Sequence, residues 1–226
     1  MGELSEALAL LRTRALTAQV RGRFLLSTAD LSDFWIDINE FLANDVVAAM
    51  SVVLGSFLSN CLKHYGPLSI AIPMYTDASE KTFPLRLVVD GAIQNASDPD
   101  ALNTVLVSQE TGTEAFCLDR PPGRPAVVVV GVSVHLTMLL GVIAALQRSC
   151  SDIVGVFAFI CREKTSLERL RTLGIPFVAP LVARWNDGAV FTAGDLHALH
   201  DPSYGYVAES RYLLFGDDHG HRQNTS

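Results

Sequence analysis

The sequence predicts an α/β protein: a parallel, doubly wound sheet with an N-terminal helix and strand-pair appendage. Three observations lead there. Strands and helices alternate from Asn44 onward. The strands are continuous apolar runs such as AVVVVG (126–131), the pattern of strands covered on both faces. Hydrophobic residues make up 49% of the 226 and charged residues 18%, which supplies a sizeable core and excludes a disordered chain.

The elements follow in order. Leu4, Leu8, Leu11 and Leu16 recur at helical spacing, so 3–20 reads as a helix. FLLSTADLSDFWIDINEF reads as two short strands around a polar turn. Residues 44–65 form a long helix that Gly66-Pro67 ends. Serines, Gly55 and Asn60 interrupt its apolar run, which marks a core helix and not a membrane span. LSIAIPM (68–74) is a buried strand, FPLRLVV (83–89) a strand or the end of a short helix, and TVLVSQE (104–110) a strand. A loop or ribbon precedes strand 126–131 and helix 136–149. Strand 153–161, helix 165–173 and strand 177–182 complete the alternation. The expected organisation is a helix and strand-pair hood over 1–40, an α/β core over 41–185, and a C-terminal extension over 186–226 with a disordered end.

Net charge is −7, with no basic run, which argues against nucleic acid as a partner. The start of the chain, MGELSEALALLRTRAL, does not read as a signal peptide, and no membrane partner is expected. Cys61, Cys117, Cys150 and Cys161 form no CxxC pair and fit no zinc spacing. They read as free thiols in a reducing, intracellular and cytoplasmic setting. No metal site is expected; His219-Gly-His221 beside Asp217-Asp218 reads as flexible acidic tail.

The strand–turn–helix from Pro125 to Leu146 stands where such folds place a phosphate or a nucleophile. A nucleophile elbow at Ser133 lacks the required glycine two residues on, where His135 stands. A dinucleotide turn needs three glycines and finds only Gly131, with Gly141 already inside the helix.

Two segments flanking this turn carry a resemblance. FLLSTADLSDFWIDIN (24–39) resembles the N-terminal strand pair of the orotate phosphoribosyltransferase family, with Phe24, Leu26, Ser32, Ile36 and Asp37 in register. DIVGVFAFICREKTSLERLRTLGIPFVAPL (152–181) resembles that family's segment after its phosphate loop, including Leu-Gly-Ile-Pro before the next strand. The resemblance implies a type I phosphoribosyltransferase fold, with 126–146 in place of the ribose-phosphate loop. It also implies a two-fold dimer.

The departures fall on the phosphate side. The resemblance implies two acids at the end of the loop strand, holding ribose hydroxyls, then a Thr/Ser- and Gly-rich turn around the 5′-phosphate. This chain has Val130 and Gly131, then Val134, His135, Leu136, Thr137 and Met138. It also implies an Arg-Lys pair leading into a catalytic loop; Ser108 and Gln109 stand there, followed by Glu110 and Glu114. Pyrophosphate leaving needs cations. One lost charge-assisted contact costs about 1.5–3 kcal/mol, so losing the acids and the cations together removes donor binding.

The base side retains more. Phe34, with Trp35 beside it, stands where the family has an aromatic or apolar residue against the pyrimidine. Arg162 matches the family's arginine, although Cys161 replaces its aspartate. Ser27 and Asn39 replace a lysine and an arginine. Each also has a plain reading: Phe34 and Trp35 as core packing, Arg162 as a surface or capping residue, His135 as a packed or solvent-facing ring. The expectation is a catalytically degenerate relative with no catalytic residue and no cofactor, acting through binding or protein interaction. The alternative is an active phosphoribosyltransferase of pyrimidine nucleotide synthesis, orotate to orotidine 5′-phosphate, with magnesium and altered phosphate contacts. The expected partners are a second copy, in a homodimer built around 68–74 and 44–65, and another protein.

Overall fold

The computed structural model describes residues 2–17, 19–25, 31–36, 44–75, 79–109, 115–118, 123–133, 136–149, 151–161, 170, 172–185 and 189–193. Its sheet is the product of the valine-rich runs. Strands β3 (Leu68–Tyr75), β4 (Leu102–Gln109), β6 (Ala126–Ser133), β7 (Ile153–Cys161) and β9 (Leu181–Trp185) lie parallel in the order β9-β7-β6-β3-β4. Short β8 (Phe177–Val178) also pairs with β7. Antiparallel strands close both edges: β5 (Phe116–Cys117) beside β4, and β10 (Ala189–Ala193) beside β9. Sheet membership thus continues past residue 185.

Alternation along each strand divides the core into two layers. Val127 and Val129, Phe157 and Phe159, and Ile70 and Ile72 join the layer that holds α2 (Asn44–Tyr65). Ala126, Val128 and Val130, Val156 and Ala158, and Ala71 join the layer that holds α4 (Leu136–Arg148). Helices therefore cover both faces, as the unbroken apolar strands predict. On α2, Val46, Met50, Val53, Leu54, Phe57, Leu58 and Cys61 are fully buried. The helix is long and apolar enough to cross a membrane, yet its apolar face is spent on the core. It stops where expected: Gly66 takes φ +72° and its N–H caps the Leu62 carbonyl at 2.9 Å.

The first helix, α1 (Gly2–Thr17), belongs to the same core. Its Leu11 is fully buried, and α1 packs on α2 and β10. Arg14 forms an ion pair with Asp45 at the start of α2. Strands β1 (Gln19–Leu25) and β2 (Leu31–Ile36) pair antiparallel as a separate two-stranded sheet, as the polar-turn pattern predicts.

Of the two readings of FPLRLVV, strand or end of a short helix, the helical one stands: the segment lies within α3 (Ser79–Gln94). Among its described side chains Leu85, Val88, Val89 and Ala92 are buried, an i, i+3, i+4, i+7 spacing that only a helix turns to one side. β3 lies between β4 and β6, with Leu68 to Ile72 buried.

Candidate functional site

The site begins with a missing hydrogen bond. β3 pairs with β4 along its whole length, from Leu68↔Leu102 to Tyr75↔Gln109. With β6 it pairs only from Ser69↔Ala126 to Ala71↔Val128. The Ser69 N–H points to that side and donates to the Pro125 carbonyl at 2.8 Å. Backbone groups on a strand alternate sides, so the β6 edge is next served by Ala71 and then by residue 73. Residue 73 is proline and has no N–H to give. The ladder stops, while β6 stays with β7 up to Ser133↔Cys161. β3 and β6 part at their carboxyl ends.

That parting is also where the chain order reverses, with β4 on one side of β3 and β6, β7 and β9 on the other. Ligands of open α/β sheets bind at such a switch point, outside the carboxyl ends of the strands. The crevice between 72–75 and 129–133 is therefore the candidate site.

Its described strand ends are uncharged. Met74 is half-buried on β3; Ser108, 6% exposed, ends β4 beside Gln109. Val130, 8% exposed, and half-buried Gly131 stand on β6, and buried Cys161 ends β7. Val130 belongs to the apolar layer of Leu139 and Val142 on α4. Its packing leaves no room for the solvation a carboxylate needs. Among the described residues there is no cluster of three metal-binding side chains, and no carboxylate stands at these strand ends to receive magnesium.

Of the residues singled out by sequence, Ser108, Gln109, Val130 and Gly131 share this sheet edge. Leu136, Thr137 and Met138 form the first turn of α4. Val134 and His135 lie outside the described residues, as do Ser27, Asn39 and Arg162. Phe34 and Trp35 sit on β2, opposite Arg21 and Val20, in the separate sheet. Ser133 is no elbow: it is still in the ladder, opposite Cys161, and not on a turn. Pro73 is the feature that sequence reading passed over. Its signal was present, since a proline inside a strand that reads as central demands a bulge or a break.

No protein-family model matches the sequence, and no curated protein matches it. Solved structures do match in shape. An orotate phosphoribosyltransferase of Mycobacterium tuberculosis, solved with inorganic phosphate, is 16% identical and superposes with a TM-score of 0.52 over 79% of this chain and 95% of its own. The enzyme of Aeropyrum pernix is 23% identical, with a TM-score of 0.52 over 76% of this chain and 90% of its own. UMP synthase of Leishmania donovani is 18% identical, with a TM-score of 0.53 over 77% of this chain and 35% of its own. With the parallel sheet, the two covered faces and the switch-point crevice, these matches show that the chain has the α/β fold of the orotate phosphoribosyltransferases.

Proposed function

We propose that this chain is a catalytically degenerate protein of the orotate phosphoribosyltransferase fold, acting through binding or protein interaction. Val130 carries the reading. Where the resemblance implies an acid for the ribose hydroxyls, a valine packs into the α4 layer, followed by Gly131. Ser108 and Gln109 support it at the second position, where the resemblance implies cations for the leaving pyrophosphate. Calorimetry of the full chain with phosphoribosyl pyrophosphate and magnesium tests it. The expected result is no binding heat; micromolar affinity sinks the reading. A cytoplasmic setting goes with it, since the cysteines read as free thiols.

The second reading is an active enzyme of pyrimidine nucleotide synthesis with phosphate contacts from elsewhere. It is favoured by Phe34 and Arg162, the residues that match the base side. An orotate-consumption assay with donor and magnesium decides it: no turnover from folded protein removes this reading.

A further inference from the structure

Among the described residues two buried hydroxyls have no hydrogen-bond partner in the protein, Ser69 Oγ and Ser151 Oγ. Ser69 is fully buried and Ser151 is 2% exposed. Both stand at the amino end of the sheet. Ser69 lies opposite Ala126 on β6, and its N–H donates to the Pro125 carbonyl at 2.8 Å. The Ala126 N–H donates in turn to the carbonyl of Asp152, the residue after Ser151, at 2.7 Å. The Ser151 N–H donates to the Leu146 carbonyl on α4 at 3.1 Å. The two serines also share a face. Ala71, two residues on from Ser69, belongs to the α4 layer, so the period of the strand turns Ser69 to that layer. Ile153, two residues on from Ser151, packs against the same layer. Between them Ala126 brings only a methyl group to this face, beneath buried Ala145 and Leu146 of α4. The backbones that carry the hydroxyls are two strand spacings apart, about 10 Å. That is too far for a direct bond and suits bridging water, with hydrogen bonds of about 2.8 Å.

We propose that Ser69 and Ser151 form an internal water site, in which about one or two ordered molecules bridge the hydroxyls and tie the turn after α4 to β3. A water both donates and accepts, so it satisfies each hydroxyl whichever way the hydroxyl proton points. A buried hydroxyl left dry at either place would cost stability that an alanine would not. The alanine at 126 is part of the site, since a larger side chain there would fill the space between the two oxygens. The site lies at the opposite end of the strands from the crevice, so the proposal holds under either reading of the crevice.

The test compares the full chain with Ser69→Ala, Ser151→Ala and the double variant. Oxygen-17 relaxation dispersion of the solvent signal counts long-lived internal waters and is blind to hydroxyl proton exchange. The double variant is expected to lose at least one such water relative to the parent. Urea unfolding gives the second readout. Each single variant is expected to unfold at a lower midpoint than the parent, because the bridging water is left one partner short. The double variant is expected to fall no further than the weaker single variant, because the water leaves with both partners. An unchanged water count in the double variant overturns the proposal. So do single variants whose midpoints rise above the parent's, the result for hydroxyls buried dry, and so do losses that simply add.

Discussion

The hydroxyl of Ser51 on α2 bonds across a helix seam to the carbonyl of Val88 on α3, 3.1 Å away. The same oxygen lies 2.8 Å from the Val47 carbonyl. Opposite it stands Gly91, where an added Cβ would meet that oxygen at 2.5 Å and the Ser51 Cβ at 3.0 Å. The two helices touch this closely because both residues are small. Gly91→Ala is expected to destabilise the fold by about 1–3 kcal/mol through overpacking. Ser51→Ala loses about 1 kcal/mol with its hydrogen bond. Because the double variant no longer has the crowded oxygen, its loss is expected to fall short of the sum. Urea unfolding of the four proteins measures the cycle, and strict additivity refutes the coupling.

Phe157 is the centre of the α2 layer. Its ring lies 5.3 Å from that of Phe57 and 5.0 Å from that of Phe159, and it is fully buried. Gly155, one inward step earlier on β7, admits Phe57: a Cβ there would stand 3.4 Å from the Phe57 ring. Phe157→Ala is expected to cost about 3–5 kcal/mol, read as a lower denaturation midpoint. A loss under about 1 kcal/mol would place the core elsewhere.

The Arg14 guanidinium beside Asp45 holds its carboxyl below the ordinary value, chiefly through the side-chain hydrogen bond and against some desolvation. A depressed folded pKa means stability present above the unfolded value, about 3.9, and lost as pH falls through the lower folded one. Arg14→Ala is expected to raise the Asp45 pKa toward its ordinary value and to start acid unfolding at slightly higher pH. Carboxyl NMR titration of both proteins checks this; an unmoved Asp45 refutes it.

A homodimer built around the 68–74 region and the helix 44–65 is the expected assembly. Sedimentation at micromolar concentration is expected to give twice the 24.5 kDa chain mass. A species that stays at the single-chain mass as concentration rises removes the expectation.

Local pattern determined much of this protein. The valine run of β6, the leucine spacing of α1 and the Gly66-Pro67 stop each specify an element from neighbours in sequence. The uncharged end of β6 is local too, because Val130 and Gly131 follow directly on the valine run and neither carries a charge, whichever face of the strand each takes. What pairs with what is not local. Apolar Leu85, Val88 and Val89 fit a short strand or a helix equally until α2 lies beside them and selects the helical face. Residues 189–193 show no run long enough to stand alone and become a strand only because β9 offers a free edge. The crevice depends most on tertiary structure. Pro73 is visible in the sequence, but its lost N–H opens a gap only because the sheet order puts β6, and not another strand, on that side of β3.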